Sequence, residues 1–430
     1  MRPKFSVSER SSRRVVITGI GLITPYAVGR EQSWQNLLTG KSTTCLLDDL
    51  SDQLNFSVAG GVIPDQGLSS TSISSLFPFQ TEPSVNLALK ATDEAISDAG
   101  LDLKQISSES TGCVIGSSKG GMASFAQMAY LPHMTSEQAS QVPSDFWLQC
   151  FPNAGSQSVA EHYNLQGAAL SPVSACATGF SSIMRAADLI RDGVCDTVFA
   201  GGADASLLPA VLASFQRMGV LATDFQSPQK ACRPYDRQRN GFVVGEGAGI
   251  LVLESLEHAL NRNAVPYAEW LSGGLGSDST HLMQFDPSAE SLAKLITRVL
   301  DRAHVSPAEL DYINLHGTGT QINDLYETRA INHSMGALAR SISCSSLKGG
   351  MGHLLGAAGS VELAFTLLAM RDNLVPPTVN LEHSDPECNL NYTPLEADPK
   401  EIHLALKLSF GFGGHLVAGL IRKWNDSDRH

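Results

Sequence analysis

Cys176 stands in Ser174-Ala175-Cys176-Ala177-Thr178-Gly179, where the small-residue stretch SPVSA runs into a helix-like segment, GFSSIMRAADLIRDG. A thiol at the start of a helix faces unpaired backbone N–H groups and a fraction of positive charge, which favour thiolate over thiol. A thiolate is a nucleophile, so the chemistry to expect is a covalent intermediate on sulfur. Free cysteine is also among the most buried residue types, so one thiol by itself is equally a packing residue.

Three further stretches change that balance. Tyr312-Ile313-Asn314-Leu315-His316-Gly317-Thr318-Gly319-Thr320 reads as a strand ending on a histidine in a Gly/Thr turn, the end of a strand where α/β folds build their sites. Ser346-Leu347-Lys348-Gly349-Gly350-Met351-Gly352-His353 runs into Leu354-Leu355-Gly356-Ala357-Ala358-Gly359, small residues that let backbone close around Lys348 and His353. Ser409-Phe410-Gly411-Phe412-Gly413-Gly414 follows the strand-like HLALKL; it is either a tight bend or a turn whose free N–H groups bind an oxyanion. One cysteine and two histidines, each in a Gly-rich strand-to-helix turn, together favour catalysis. Asp324 and Glu327, three residues apart, lie on one helix face and are expected to order the HGTGT turn rather than do acid/base work.

Familiar alternatives fail. Gly19-Ile20-Gly21 has no third glycine and no acid at dinucleotide spacing, and neither a phosphate-binding G-x-x-x-x-G-K-[ST] nor a G-x-S-x-G serine elbow is present. The 430 residues carry a net charge of -13, the wrong sign for nucleic acid as main partner. The eight cysteines are scattered without a C-x-x-C pair, so neither disulfides, zinc nor any other metal is expected, and a reducing cytoplasm is the simplest setting. No apolar run is long enough to span a membrane. Arg13-Arg14 superficially resembles an export signal, but the β-branched run from Val15 to Thr18 reads better as a buried first strand behind a disordered tail, residues 1–12.

The positioning elements alternate. RRVVITGI, TGCVIGS, DTVFAGG, GILVLES, DYINLHG and HLALKLSF read as strands between helical stretches, among them one from Pro83 to Ala99 that stops at Gly100. This is an α/β layered pattern. Each half supplies strands, a small-residue turn and a central helix: ACATG before Phe180, then HLLGAAG before Ser360. The expectation is a doubled unit with its boundary near residues 256–268: a first half 13–262, a second half 263–424 and a tail 425–430. Residues 123–155 lack periodicity and read as an interface excursion or a lid.

These stretches together resemble the β-ketoacyl-acyl carrier protein synthases, the condensing enzymes of type II fatty acid elongation. Ala231-Cys232-Arg233-Pro234-Tyr235-Asp236 and the segment Asn240 to Ala248 add to the likeness, which covers about residues 13–424. The resemblance implies a thiolase-like fold, five-layered αβαβα, built from two similar halves and usually a homodimer. It implies Cys176 as acyl acceptor, His316 and His353 as the active-site histidines, Lys348 as the family lysine and Glu362 as its acidic partner. Thr318 and Thr320 would hold the pantetheine arm, Phe410 would line the substrate site and Phe412 would gate the acyl pocket, its N–H completing an oxyanion hole with that of Cys176. No cofactor is implied, because the thioester is its own electron sink.

Three departures stand out: His415-Leu416 where the family continues Thr-Asn, Ser117-Ser118-Lys119 where small apolar pocket residues are common, and Gly349-Gly350-Met351 after the lysine. They leave open a second reading, the ketosynthase of a type II polyketide, polyene or other secondary-metabolite pathway. A non-elongating partner subunit of a heterodimer fits less well, since such subunits usually lack the nucleophile. A thiolase fits less well because Cys388 lies outside the C-terminal turn. The carrier protein is the expected partner, and Arg217, Lys230 and Arg233 are the expected docking rim.

Overall fold

The computed structural model describes residues 13–65, 68, 81–104, 107–425 and 427. The expected tail 1–12 lies outside them, as does most of 425–430. The apolar run Val15–Thr24 forms β1, buried along its whole length, as expected of a strand covered on both faces. Arg13 and Arg14, ahead of it, are tied to Asp196 and Glu269 by ion pairs of 2.5 and 2.8 Å. There follow α1 (Pro83–Ala99), β2 (Thr111–Gly116), α2 (Ala154–His162), β3 (Ala169–Leu170), α3 (Thr178–Arg191), β4 (Thr197–Asp204) and β5 (Gly247–Ser255). Proline in the first turn and Gly100 in the left-handed conformation punctuate α1.

The second half repeats the plan with β6 (Ala268–Ser277), α4 (Glu290–Arg302), β7 (Tyr312–Asn314), α5 (Gln321–Met335), β8 (Ser343–Ser345), α6 (Ala358–Asp372), β9 (Leu404–Gly411) and β10 (His415–Lys423). Strand order is β3-β2-β4-β5-β1 in one half and β8-β7-β9-β10-β6 in the other. Both are third, second, fourth, fifth, first, with the same pattern of parallel and antiparallel neighbours. The half-sheets meet at a three-pair antiparallel seam, Val15↔Trp270 to Ile17↔Ala268. Helices α1 and α2 cover the outer face of the first; α4 covers that of the second with α5 packed beside it, where Tyr326, Ala330 and Ile331 join the same apolar cluster as Ile313 and Leu406. Between the two sheets lie α3 and α6, each touching strands of both halves. The result is five layers, αβαβα.

The central layer explains the small residues of its helices. Helix α6 is buried on every face from Ala358 to Met370, the pattern of a helix enclosed by other elements. A Cβ on Gly179 would lie 2.8 Å from Ser360 Oγ and 2.9 Å from the Gly356 carbonyl, and one on Gly359 would lie 2.7 Å from Phe180 Cβ. Only hydrogen fits, so α3 and α6 approach closely at their first turns. Residues 123–155 form short helical pieces, Met122–Tyr130, Ser136–Ser140 and the turn Phe146–Cys150, that leave Phe125, Trp147, Leu148 and Phe151 exposed.

Candidate active site

Cys176, His316, Lys348, His353 and Phe412 lie in segments that follow the carboxyl ends of strands, whereas Phe410 is on β9, Glu362 on α6, and Asp324 and Glu327 on α5. Cys176 follows β3 in the tight turn Ala175–Ala177 that leads into α3; the matching turn of the second half, Leu355–Ala357, leads into α6 two residues after His353. The first residue of each, Ala175 and Leu355, sits at φ 49°, a left-handed conformation that costs a non-glycine residue on the order of 1 kcal/mol. Gly411, at the end of β9, presses on the nucleophile turn: a Cβ there would lie 2.3 Å from the Ser174 carbonyl and 3.2 Å from the Cys176 nitrogen. This contact sets Phe412 beside Cys176, with the Phe412 backbone N–H directed at the thiol.

A cavity of about 330 Å³ is lined by Cys176, His316, His353, Phe410, Phe412 and both Thr318 and Thr320. The ring centroids of His316 and His353 are 5.3 Å apart, and Phe410 backs His316 at 5.1 Å. His353 Nδ1 accepts the Leu355 N–H at 3.3 Å, which leaves the hydrogen of the neutral ring on Nε2. Lys348 donates to the His316 carbonyl oxygen, and its Nζ lies 3.5 Å from His316 Nδ1, so His316 is held in the same tautomer. Burial first, then the Lys348 charge, pushes both histidines well below their ordinary pKa. Two neutral imidazoles presenting Nε2–H donors to one cavity can stabilise a developing oxyanion.

The turn after His316 is fixed from α5. Glu327 accepts the N–H groups of His316 at 2.7 Å and Gly317 at 2.9 Å, and the Tyr235 hydroxyl at 2.6 Å. Asp324 accepts those of Thr318 at 3.1 Å, Gly319 at 3.2 Å and Tyr235 at 2.8 Å. Both carboxylates are fully buried and spent on these backbone groups, the Tyr235 hydroxyl and, for Asp324, Arg239 at 3.5 Å, and neither lines the cavity. Thr320 caps α5, and its hydroxyl is 3.0 Å from that of Thr318. Glu362 takes Lys348 at 2.5 Å.

The expected thiolate is not what the structure gives. Cys176 is 6% exposed, and burial pushes its thiol up to about 11 against the downward pull of Lys119 and Lys348. Desolvation of the charged form outweighs the turn's N–H groups, so sulfur waits as the thiol. Lys119 stands in a loop bound to the same frame: its Nζ is 3.7 Å from buried Asp204, which accepts the N–H groups of Ser118 at 3.2 Å and Gly356 at 3.1 Å. Loss of that cation raises the thiol pKa further. Lys119→Met is therefore expected to slow alkylation of Cys176 by iodoacetamide about three- to tenfold at neutral pH; an unchanged rate would rule out its influence.

The three cations of the expected docking rim differ in their surroundings. Arg217 is exposed, but Lys230 is paired with Glu382 at 2.7 Å and Arg233, 13% exposed, also turns to Glu382 at 3.6 Å. One carboxylate thus occupies two of the three cations. His415 opens β10 and is exposed, outside the cavity lining. Among the described residues no group of His, Cys, Asp and Glu is arranged to hold a metal.

Known proteins are similar to this chain along most of its length. The family profile "Beta-ketoacyl synthase, N-terminal domain" matches residues 12–259 and "Beta-ketoacyl synthase, C-terminal domain" matches residues 267–382. The chain belongs to the β-ketoacyl synthase family. It is 37% identical over 404 residues to 3-oxoacyl-[acyl-carrier-protein] synthase 2 of Coxiella burnetii, covering 94% of this chain and 96% of that one. It is 38% identical over 423 residues to the protein of the same name from Rhizobium meliloti, covering 96% and 99%. Among solved structures, a type II polyketide synthase acyl-carrier protein in complex with its ketosynthase bound to the hexaketide matches with a TM-score of 0.88 at 30% identity, over 96% of this chain and 100% of that one.

As a β-ketoacyl synthase the chain is an acyl-transferring condensing enzyme. Its site uses residues that motif reading passed over. Asp204, at the end of β4, ties the Ser118 loop to Gly356. Tyr235 joins Asp324 to Glu327. Lys407, in the middle of β9, is fully buried with its Nζ 2.6 Å from Glu362; the signal was a lysine inside an otherwise apolar strand.

Proposed function

We propose that this β-ketoacyl synthase elongates acyl chains on an acyl carrier protein by a ping-pong route, in fatty acid elongation. The observation that carries it is the one cavity that Cys176, His316, His353 and Phe412 share. The Cys176 thiol attacks the carrier thioester, its negative oxygen facing the N–H groups of Cys176 and Phe412. Sulfur keeps the acyl group, and the proton it loses leaves on the carrier thiol. Malonyl-carrier protein then enters and loses carbon dioxide. The electron pair of that C–C bond forms an enolate whose oxygen accepts from the Nε2–H groups of His316 and His353. The enolate carbon attacks the Cys176 thioester, the new C–C bond releases sulfur, and a proton restores the thiol.

The test is intact-mass spectrometry after incubation with acyl-carrier proteins and then malonyl-carrier protein. A mass gain on Cys176 followed by a carrier-bound chain two carbons longer is expected; absence of acylation would return the chain to the non-elongating subunits. A second reading, condensation in a type II polyketide or polyene pathway, is favoured by the Lys119 cation acting on Cys176, where an apolar chain gains nothing from charge. Competition decides between them, with preference for saturated medium-length chains supporting the first and for short, unsaturated or ketone-bearing chains the second.

We further propose a homodimer, or a heterodimer with a related subunit, built on the exposed Phe125, Trp147, Leu148 and Phe151 and the open edge at Leu170. The cytoplasm is the proposed location, in keeping with eight unbridged cysteines. For carrier docking, Arg217→Glu is expected to raise the KM for carrier-bound substrate several-fold at low salt and leave reaction with small thioesters unchanged. Equal kinetics for the two proteins would place docking elsewhere.

A further inference from the structure

Strand β9 carries a charge where its neighbours are apolar. Lys407 is fully buried in LALKLSF, its Nζ 2.6 Å from Glu362 Oε2 and 2.6 Å from the Leu408 carbonyl oxygen. Glu362 gives its other oxygen to Lys348 at 2.5 Å, and Lys348 reaches the His316 carbonyl oxygen and approaches Nδ1 at 3.5 Å. The three charged groups therefore form a line that ends on His316. Lys348 and Glu362 alone would be neutral as a pair. With Lys407 protonated the line carries one excess positive charge, an expensive thing to bury unless something opposite in sign comes near.

What comes near, on the function proposed above, is the enolate. Neither Lys407 nor Lys348 lines the cavity, whereas His316 and His353 do. We propose that Lys407 is a positioning residue that acts through Glu362 to hold Lys348 against His316 and keeps a positive charge behind the two histidines that receive the enolate oxygen. Its field strengthens the Nε2–H donors without touching substrate. Because both lysines share one carboxylate, Lys348 is also restrained from withdrawing toward Glu362 alone.

The charge is lost at mildly alkaline pH. Burial pulls Lys407 down to about 8, against Glu362 and with the help of Lys348. Below that value the line is positive; as pH rises through it, the proton and the excess charge leave together. Besides its own members, the charged or titratable groups facing this line are Glu327 on α5, Tyr312 on β7, Cys176, Cys232 and the two histidines. Glu327, pushed up to about 7 by burial, also titrates nearby, and its effect remains when Lys407 is replaced.

The experiment follows decarboxylation of a malonyl-pantetheine thioester by the acylated enzyme across pH. The wild type is expected to lose about tenfold in rate between pH 7 and 9. Lys407→Met is expected to start near the lower level and to lack that limb, and Lys407→Arg, charged throughout, to hold the higher level past pH 8. Profiles for wild type and Lys407→Met that run parallel, displaced by a constant factor, would reduce Lys407 to a packing role and overturn the proposal. If the methionine variant does not fold, wild type against Lys407→Arg gives the same decision, since only the wild type should fall. An acylated enzyme that never decarboxylates would overturn the proposed function and this inference with it, whereas decarboxylation with no limb removes this inference alone.

Discussion

Cys176→Ala is expected to abolish acylation and to lower condensation by on the order of 10⁴- to 10⁶-fold, the range seen when a covalent nucleophile is removed. The fold should survive, because the change deletes one small atom from a turn whose shape is set by backbone, Gly411 and Thr178. Decarboxylation of malonyl-carrier protein is expected to persist in the variant, since His316 and His353 reach the cavity independently of sulfur. The paired measurement is mass gain on the protein and release of carbon dioxide. Retained acylation would place the nucleophile elsewhere and remove the basis of the ping-pong route.

The second large effect divides the reaction the other way. His316→Ala and His353→Ala should each lower decarboxylation about 100- to 1000-fold, the usual cost of losing one donor to a developing oxyanion, while acylation of Cys176 by a reactive thioester continues. His353→Asn retains an N–H donor and should recover part of the loss. Since burial and Lys348 hold both rings neutral, histidine protonation should put no acid limb into the profile from about pH 6 upward. Acylation and decarboxylation falling together in the histidine variants would contradict this division of labour.

Much of this was legible in the residues. The strands, the helix from Pro83 to Gly100 and the layered pattern follow from apolar runs and their stops, which depend on local chemistry. Cys176, His316, Lys348, His353 and Phe412 each sit in a Gly-rich turn, and such turns are where side chains leave the packed core. What stayed hidden depends on long-range placement. The thiol's high pKa arises from its burial in the cluster that holds Phe242, Leu355 and Phe412, which no helix-terminus rule contains. Asp204 and Lys407 read as strand residues, and their meaning appears only when Gly356 and Glu362 arrive from more than forty residues away. Lys230 and Arg233 look like a basic rim until Glu382 folds across them.

The close approach of α3 and α6 at Gly179 and Gly359 bears on how such an enzyme can diversify. The turn carrying Cys176 and the turn that follows His353 are bolted to two helices that have no room for a single added methyl group at Gly179 and Gly359. A substitution there would move both turns together and cost rate before it cost stability. Variation that changes the substrate while sparing the chemistry must therefore accumulate on the walls, at positions such as Met218, Met283 and Ile322, where side chains can be exchanged one at a time. The interior of this protein is in that sense inherited machinery, and its individuality is written around the rim.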